Sequence, residues 1–199
     1  ALPVSVGIAV LRYRLYEIDR LINRTLVYGA VTAMLAGLYF AIVIGLGCGL
    51  VIGMAPRSDA TVTFLDTASR ARASFTLDPA LVPLTGRWAG YPMTVARRIA
   101  RNFPQARRGA DLALASDLPS ASGMSSSSAL VVATFLALAE ANELQATDAW
   151  REHLATPEAL AEYLGCIENG QSFGPLAGDR GVGTFGGSQD HTAIVCCRA

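Results

Sequence analysis

The sequence predicts an α+β fold over residues 47–199, preceded by a hydrophobic helix. Three observations carry this. Short β-rich runs come first, long apolar helical stretches follow and a β-rich run ends the chain, a layered mixture rather than a regular βαβ alternation. Residues 26–55 carry no charge. A loop rich in serine and glycine stands between a strand candidate and the most apolar helix candidate.

The uncharged stretch comes first in the chain. Its residues 27–46 would span roughly 30 Å as a helix, the thickness of the hydrocarbon layer. Thr32 is its most polar residue apart from two tyrosines, so a transmembrane helix is favoured over a buried soluble one. Arg12, Arg14, Arg20 and Arg24 precede it, which would hold the N-terminal side in the cytoplasm. Gly45, Gly49 and Gly53 recur every four residues, either as a helix-packing stripe or as a turn before a strand.

Beyond it, 50–54 and 61–65 read as strands joined in a hairpin through Pro56-Arg57-Ser58-Asp59. Residues 73–77 are a third strand. Residues 91–102 read as a helix with Val95, Ile99 and Phe103 on one face and Arg97, Arg98 and Arg101 on a solvated one. Residues 111–115 form another strand. The nearly all-apolar 125–141 is a buried helix. Residues 156–167 form a second, opened by Thr156 as N-cap and Pro157 at its first position. A glycine-rich loop occupies 170–188, and 191–197 is read as a final strand.

Composition narrows the chemistry. Sixteen basic residues balance sixteen acidic ones, so no net field draws a nucleic acid. All sixteen are arginine, which excludes a phosphate-binding lysine of the Walker type and Schiff-base catalysis. Residues 1–46 sum to +2 and the remainder to −2, counting four arginines against two acids and twelve against fourteen. Cys48, Cys166, Cys196 and Cys197 form no CxxC pair, and with only His153 and His191 beside them no zinc spacing exists. Reduced, buried thiols are expected.

Residues 117–130, Asp-Leu-Pro-Ser-Ala-Ser-Gly-Met-Ser-Ser-Ser-Ser-Ala-Leu, carry the most information. A strand ends, small residues follow and a buried helix begins. The first turn of a helix offers free N–H groups and the positive end of its dipole, a setting suited to phosphate. Serine hydroxyls can donate to phosphate oxygens or bind Mg²⁺ without lysine. Four serines after a glycine exceed what capping requires.

This stretch resembles the ATP-binding motif of the GHMP kinases, in the form of their galactokinase branch. Trp88-Ala89-Gly90-Tyr91 is similar to the Trp-x-Asn-Tyr of sugar kinases, with glycine for asparagine. Gly186-Gly187-Ser188-Gln189-Asp190-His191 is similar to the galactokinase Gly-Gly-x-x-Asp-Gln, with histidine for glutamine. The resemblance implies a GHMP-kinase N-terminal domain, of the ribosomal protein S5 domain 2-like fold, over residues 47–199. It implies that Pro119, Ser122, Gly123, Met124 and Ser125–Ser128 cradle ATP. It further implies that Ser127 and Glu168 hold Mg²⁺ and that Asp190 is the catalytic base, with Tyr91, Gly187 and Asp190 facing a sugar. Taken alone, Asp190 could be a turn or N-cap residue and Glu168 a solvent-facing carboxylate.

The resemblance has limits. No Gly-Glu-His-x-Asp-Tyr sugar-binding segment occurs in residues 1–46, which instead resemble the membrane region of bacterial sensor histidine kinases. The family's C-terminal domain would start after Ala199. The expectation is therefore an ATP-dependent sugar kinase fragment, cytoplasmic in its kinase-like part and membrane-tethered if 27–46 spans. Two rivals are a membrane-anchored sensor fragment that binds without catalysis and a fusion without activity. His153, in Glu152-His153-Leu154, is read as a surface residue rather than a phosphate carrier.

Overall fold

The structure, a computed structural model, describes residues 26–31, 34, 49–118, 126–183 and 188–197. The chain divides between Cys48 and Gly49 into two units. In the first, residues 26–31 and 34 are helical and exposed. Most of the expected span 27–46, and all of 1–25, lie outside the described residues. Among the described residues no helix is long and apolar enough to cross a membrane.

The second unit is built on a four-stranded sheet of β1 (Leu50–Pro56), β2 (Thr61–Asp66), β3 (Arg72–Thr76) and β4 (Ala110–Ser116). The expected strands are present, but the first hairpin is not. Spatial order is β1-β4-β2-β3, so β4 lies between β1 and β2. It runs antiparallel to β1, with Leu50 opposite Ser116, and parallel to β2, with Phe64 opposite Leu112. The hairpin that does form joins β2 to β3.

The polar groups of the Pro56–Asp59 corner bind both its neighbours in β2 and the central strand, with Asp59 accepting from the Thr61 N–H and hydroxyl. Arg57 binds both Asp59 and Asp111 of β4 (2.7 and 3.0 Å), and its N–H donates to Gly109.

Alternation sets the core face. Val62 and Phe64 of β2, Phe75 of β3, and Ala110, Leu112 and Leu114 of β4 are buried, while their neighbours point the other way. The helices are α1 (Gly90–Asn102), α2 (Ser126–Ala141), α3 (Asp148–His153), α4 (Pro157–Asn169) and α5 (Gln189–Cys196), with a 3₁₀ turn at Leu144–Ala146, and they share one apolar core with that face. α2 is apolar around most of its circumference because it lies against β1 and β4 and touches α1, α4 and α5. α4 begins as read from sequence: Thr156 Oγ1 accepts from the Ala159 N–H, and Pro157 follows.

Three further expectations are corrected. Residues 191–197 are not a strand; 191–196 fall in helix α5 and Cys197 caps it. Thr192, Ile194 and Val195 favour strands weakly, and packing of His191 against α4 overrides that preference. The arginines of α1 are not all solvated, because Arg98 is fully buried and Arg97 nearly so. Among the described residues the thiols of Cys166, Cys196 and Cys197 are free, but Cys197 is exposed and Cys166 and Cys196 are only half-buried, while Cys48 lies outside the described residues.

Candidate functional site

The site is assembled from three helix ends. α2 starts at Ser126, the first described residue after the serine-glycine loop, and its opening N–H groups have no partner within the helix. α4 ends with Glu168-Asn169, capped by Gly170 in the left-handed region (φ 78°), whose N–H bonds back to Cys166 and Ile167. α5 starts with Gln189-Asp190-His191.

A carboxylate joins them. Ser128 Oγ, in the first turn of α2, donates to Glu168 Oε2 at 3.0 Å. His191 Nε2, in the first turn of α5, lies 3.0 Å from the same oxygen. That approach lacks hydrogen-bond geometry, and Nδ1 also has no hydrogen-bond partner. His191 and Ser128 are buried, and the Glu168 side chain is only 12% exposed.

Gly165 makes this packing fit. A Cβ there would sit 2.9 Å from Ser188 Cβ and 3.7 Å from His191 Nδ1, so any larger residue would push α5 off α4.

Several expected site residues thus converge, with one shift of register. The hydroxyl that meets Glu168 belongs to Ser128, not Ser127; Ser126 and Ser127 lie half-buried beside it. Asp190 is exposed in the first turn of α5, adjacent in sequence to the residue that touches Glu168. Tyr91 is half-buried at the start of α1, and no hydrogen bond or ion pair links it to Glu168 or Asp190 among the described residues. The glycine in place of asparagine at 90 has a steric reason, since a Cβ there would lie 2.1 Å from the Leu84 carbonyl oxygen. Pro119, Ser122, Gly123, Met124, Ser125 and Gly187 lie outside the described residues.

Sequence reading missed the polar cluster behind Glu168. Arg98 donates to the carbonyls of Ala177, Cys166 (2.9 Å) and Gln171 (2.8 Å). Asp179, whose side chain is 2% exposed, takes Arg97 Nε at 2.9 Å and faces Arg98 at 3.7 Å. Burial pulls the Arg98 guanidinium below its ordinary range and the Asp179 charge opposes that. Burial also pushes the neighbouring Tyr163 hydroxyl up to about 12, and in its protonated form it accepts from Asn102. A helical-wheel signal for Arg98 existed, because it stands three residues after Val95 and four after Thr94, both buried.

A groove of about 620 Å³ on the sheet, lined by Thr63, Leu65, Arg72, Ser74, Asp111 and Ala113 among others, includes none of these residues. The convergence of three helix ends with a buried carboxylate is the better candidate for chemistry.

Residues 90–174, from the start of α1 to just beyond α4, match the family profile described as GHMP kinases N terminal domain. The fold is mixed α/β and GHMP-kinase-like. The chain is similar to galactokinases. That of Actinobacillus pleuropneumoniae serotype 5b is 32% identical over 84 residues, covering 42% of this chain and 22% of the relative. That of Chloroflexus aggregans is 41% identical over 93 residues, covering 45% and 23%. The chain therefore spans less than a quarter of the length of the curated relatives it matches. Among solved structures, one described as a sugar kinase from Campylobacter jejuni shares the fold at a TM-score of 0.50 and 22% identity, covering 74% of this chain and 39% of that one.

Proposed function

We propose that residues 47–199 are the nucleotide-binding part of a sugar kinase that moves the γ-phosphoryl group of ATP to a sugar hydroxyl. The observation that carries this reading is the Ser128–Glu168 contact at the first turn of a buried helix, with α5 and Asp190 alongside.

The α2 N-terminus and the hydroxyls of Ser126 and Ser127 would receive phosphate oxygens, in continuation of the loop residues Pro119, Ser122, Gly123, Met124 and Ser125. A hydroxyl and a carboxylate oxygen 3.0 Å apart and largely shielded from water are a hard-donor pair. That pair fits Mg²⁺, which takes few protein ligands and completes its shell with phosphate oxygens and water. When bound, Mg²⁺ would neutralise charge on the transferring phosphoryl group. Glu168 and Ser128 are the residues that would hold it, and Ser127 is the neighbouring alternative.

Asp190 would accept the proton of the attacking hydroxyl. It is suited to this because it is exposed and stands on the helix whose next residue faces Glu168. Gly187 and Tyr91 would line the sugar, with galactose the first acceptor to try.

The test is Asp190→Asn in the full chain. ATP binding should persist, because the carboxylate faces the acceptor, while galactose-dependent ADP release should fall by about 10²-fold or more. Unchanged turnover in the variant would remove Asp190 from the base's role.

A further inference from the structure

We propose that Arg98 and Asp179 are positioning residues for Glu168: a buried clamp that fixes the end of α4 and thereby sets cation affinity at the Ser128–Glu168 pair without touching the ion. The inference rests on the reading of Glu168 as a cation ligand.

A helix end normally leaves its last carbonyls to water or to a simple cap. At the end of α4 they are bound by protein. Arg98 takes the carbonyls of Cys166 and Gln171, two residues before Glu168 and three after it. The carbonyl of Glu168 itself accepts from the Val182 N–H at 3.0 Å, and that of Gly170 accepts from the Asp179 N–H at 3.0 Å. The backbone from which the Glu168 side chain projects is thus held on both sides.

The segment that supplies these bonds is held in turn. Asp179 Oδ1 accepts from the Gly181 N–H, Ser172 Oγ accepts from the Gly178 N–H, and Arg98 also binds the Ala177 carbonyl. Arg97 and Arg98 converge on the Asp179 carboxylate. Removing three charges from water is costly, and Arg98 Nε and Arg97 Nη2 remain without hydrogen-bond partners. Apolar packing could secure a loop at lower cost. What the clamp adds is a fixed direction for one carboxylate, the service that outer-shell groups provide to metal ligands.

The experiment measures Mn²⁺ binding to the full chain by calorimetry, in the presence of a non-hydrolysable ATP analogue, together with affinity for that analogue without metal. Asp179→Asn should weaken Mn²⁺ by about 10- to 100-fold, leave metal-free nucleotide affinity unchanged and keep the circular dichroism spectrum. Arg97→Gln, which keeps an N–H donor and leaves Arg98 in place, should give a smaller loss in the same direction and serves should Asp179→Asn fail to fold. Glu168→Gln is the control. If it weakens Mn²⁺ while the folded clamp variants bind Mn²⁺ as the parent does, the clamp is overturned and the cation site stands. If Glu168→Gln leaves Mn²⁺ binding unchanged, the cation reading falls and the clamp with it. Equal losses of metal and metal-free nucleotide affinity in the clamp variants would overturn the positioning role in favour of plain loop anchoring.

Discussion

The helix–sheet layer and the end of α4 are held by opposite means. Between sheet and helices, Phe64, Leu112, Ile99, Val131 and Phe135 meet almost without polar atoms. Around Glu168, a guanidinium, a carboxylate and a row of backbone carbonyls do the same work within a short glycine-rich span. Apolar packing depends on volume and tolerates exchange among similar shapes. A buried polar cluster depends on direction, and losing one partner strands the others. The first kind suits a scaffold and the second suits a support for chemistry.

Phe135→Ala attacks the apolar half and should have the largest effect on stability. Phe135 is fully buried, stacks on Trp150 at 5.9 Å and meets Tyr163 edge-on at 5.7 Å. Its truncation should cost about 3–5 kcal/mol, read as a lower urea midpoint with an unchanged slope. A loss under about 1 kcal/mol would mean that the aromatic cluster is not the centre of the layer.

Thr156→Ala sharpens the contrast, because α4 belongs to both halves. Removing the cap should cost about 1 kcal/mol and should leave Mn²⁺ binding unchanged, since the clamp grips the other end of the helix. A fall in Mn²⁺ affinity as large as that of Asp179→Asn would mean that the whole helix, not its end, is the supporting element.

The smallest effect is expected at Arg57, whose two carboxylate partners lie in water. Arg57 and, for Asp111, the Thr63 hydroxyl hold the carboxyls of Asp59 and Asp111 below the usual carboxylate range. A carboxylate whose pKa is lower folded than unfolded stabilises the fold above its unfolded value near ~4. As pH falls through the folded value that contribution is lost. Arg57→Gln should therefore lower the melting temperature slightly at pH 7, and the difference from the parent should shrink below pH 4 and in high salt. A difference that grows on acidification would reverse the assignment.

The sheet-and-helix layer was legible because period-two and helical patterns record which side is apolar. Val62, Phe64, Leu112, Val95 and Ile99 declare their faces without reference to the rest of the chain. Strand order was not legible: the turn at 56–59 reads equally well as a hairpin, and the pairings that β1 and β2 make instead, both with β4, join residues far apart in the chain. The identities of Ser128, Glu168 and Asp190 as site candidates came from the serine loop and its family resemblance, and the structure brings Ser128 and Glu168 together. Arg98 stayed hidden because its partners are backbone carbonyls, which every residue owns and no sequence marks. The strand expected at 191–197 failed for a related reason, since β-branched residues outweighed a glycine at 165 that makes room for a helix.

The sheet order also bears on how the chain reaches its fold. Among the described residues β1 has a single neighbour, β4, whose residues follow it by more than fifty positions, and β2–β3 and α1 must be made in between. On a ribosome β1 emerges before β4 and until then lacks that partner, the kind of edge that invites the wrong one. The β2–β3 hairpin can close at once. Closing β1 onto β4 is the long-range step, and chains governed by such contacts fold slowly. The strand that leads out of Gly49 is thus among the last to be secured, and refolding yield should fall with protein concentration before that step is complete.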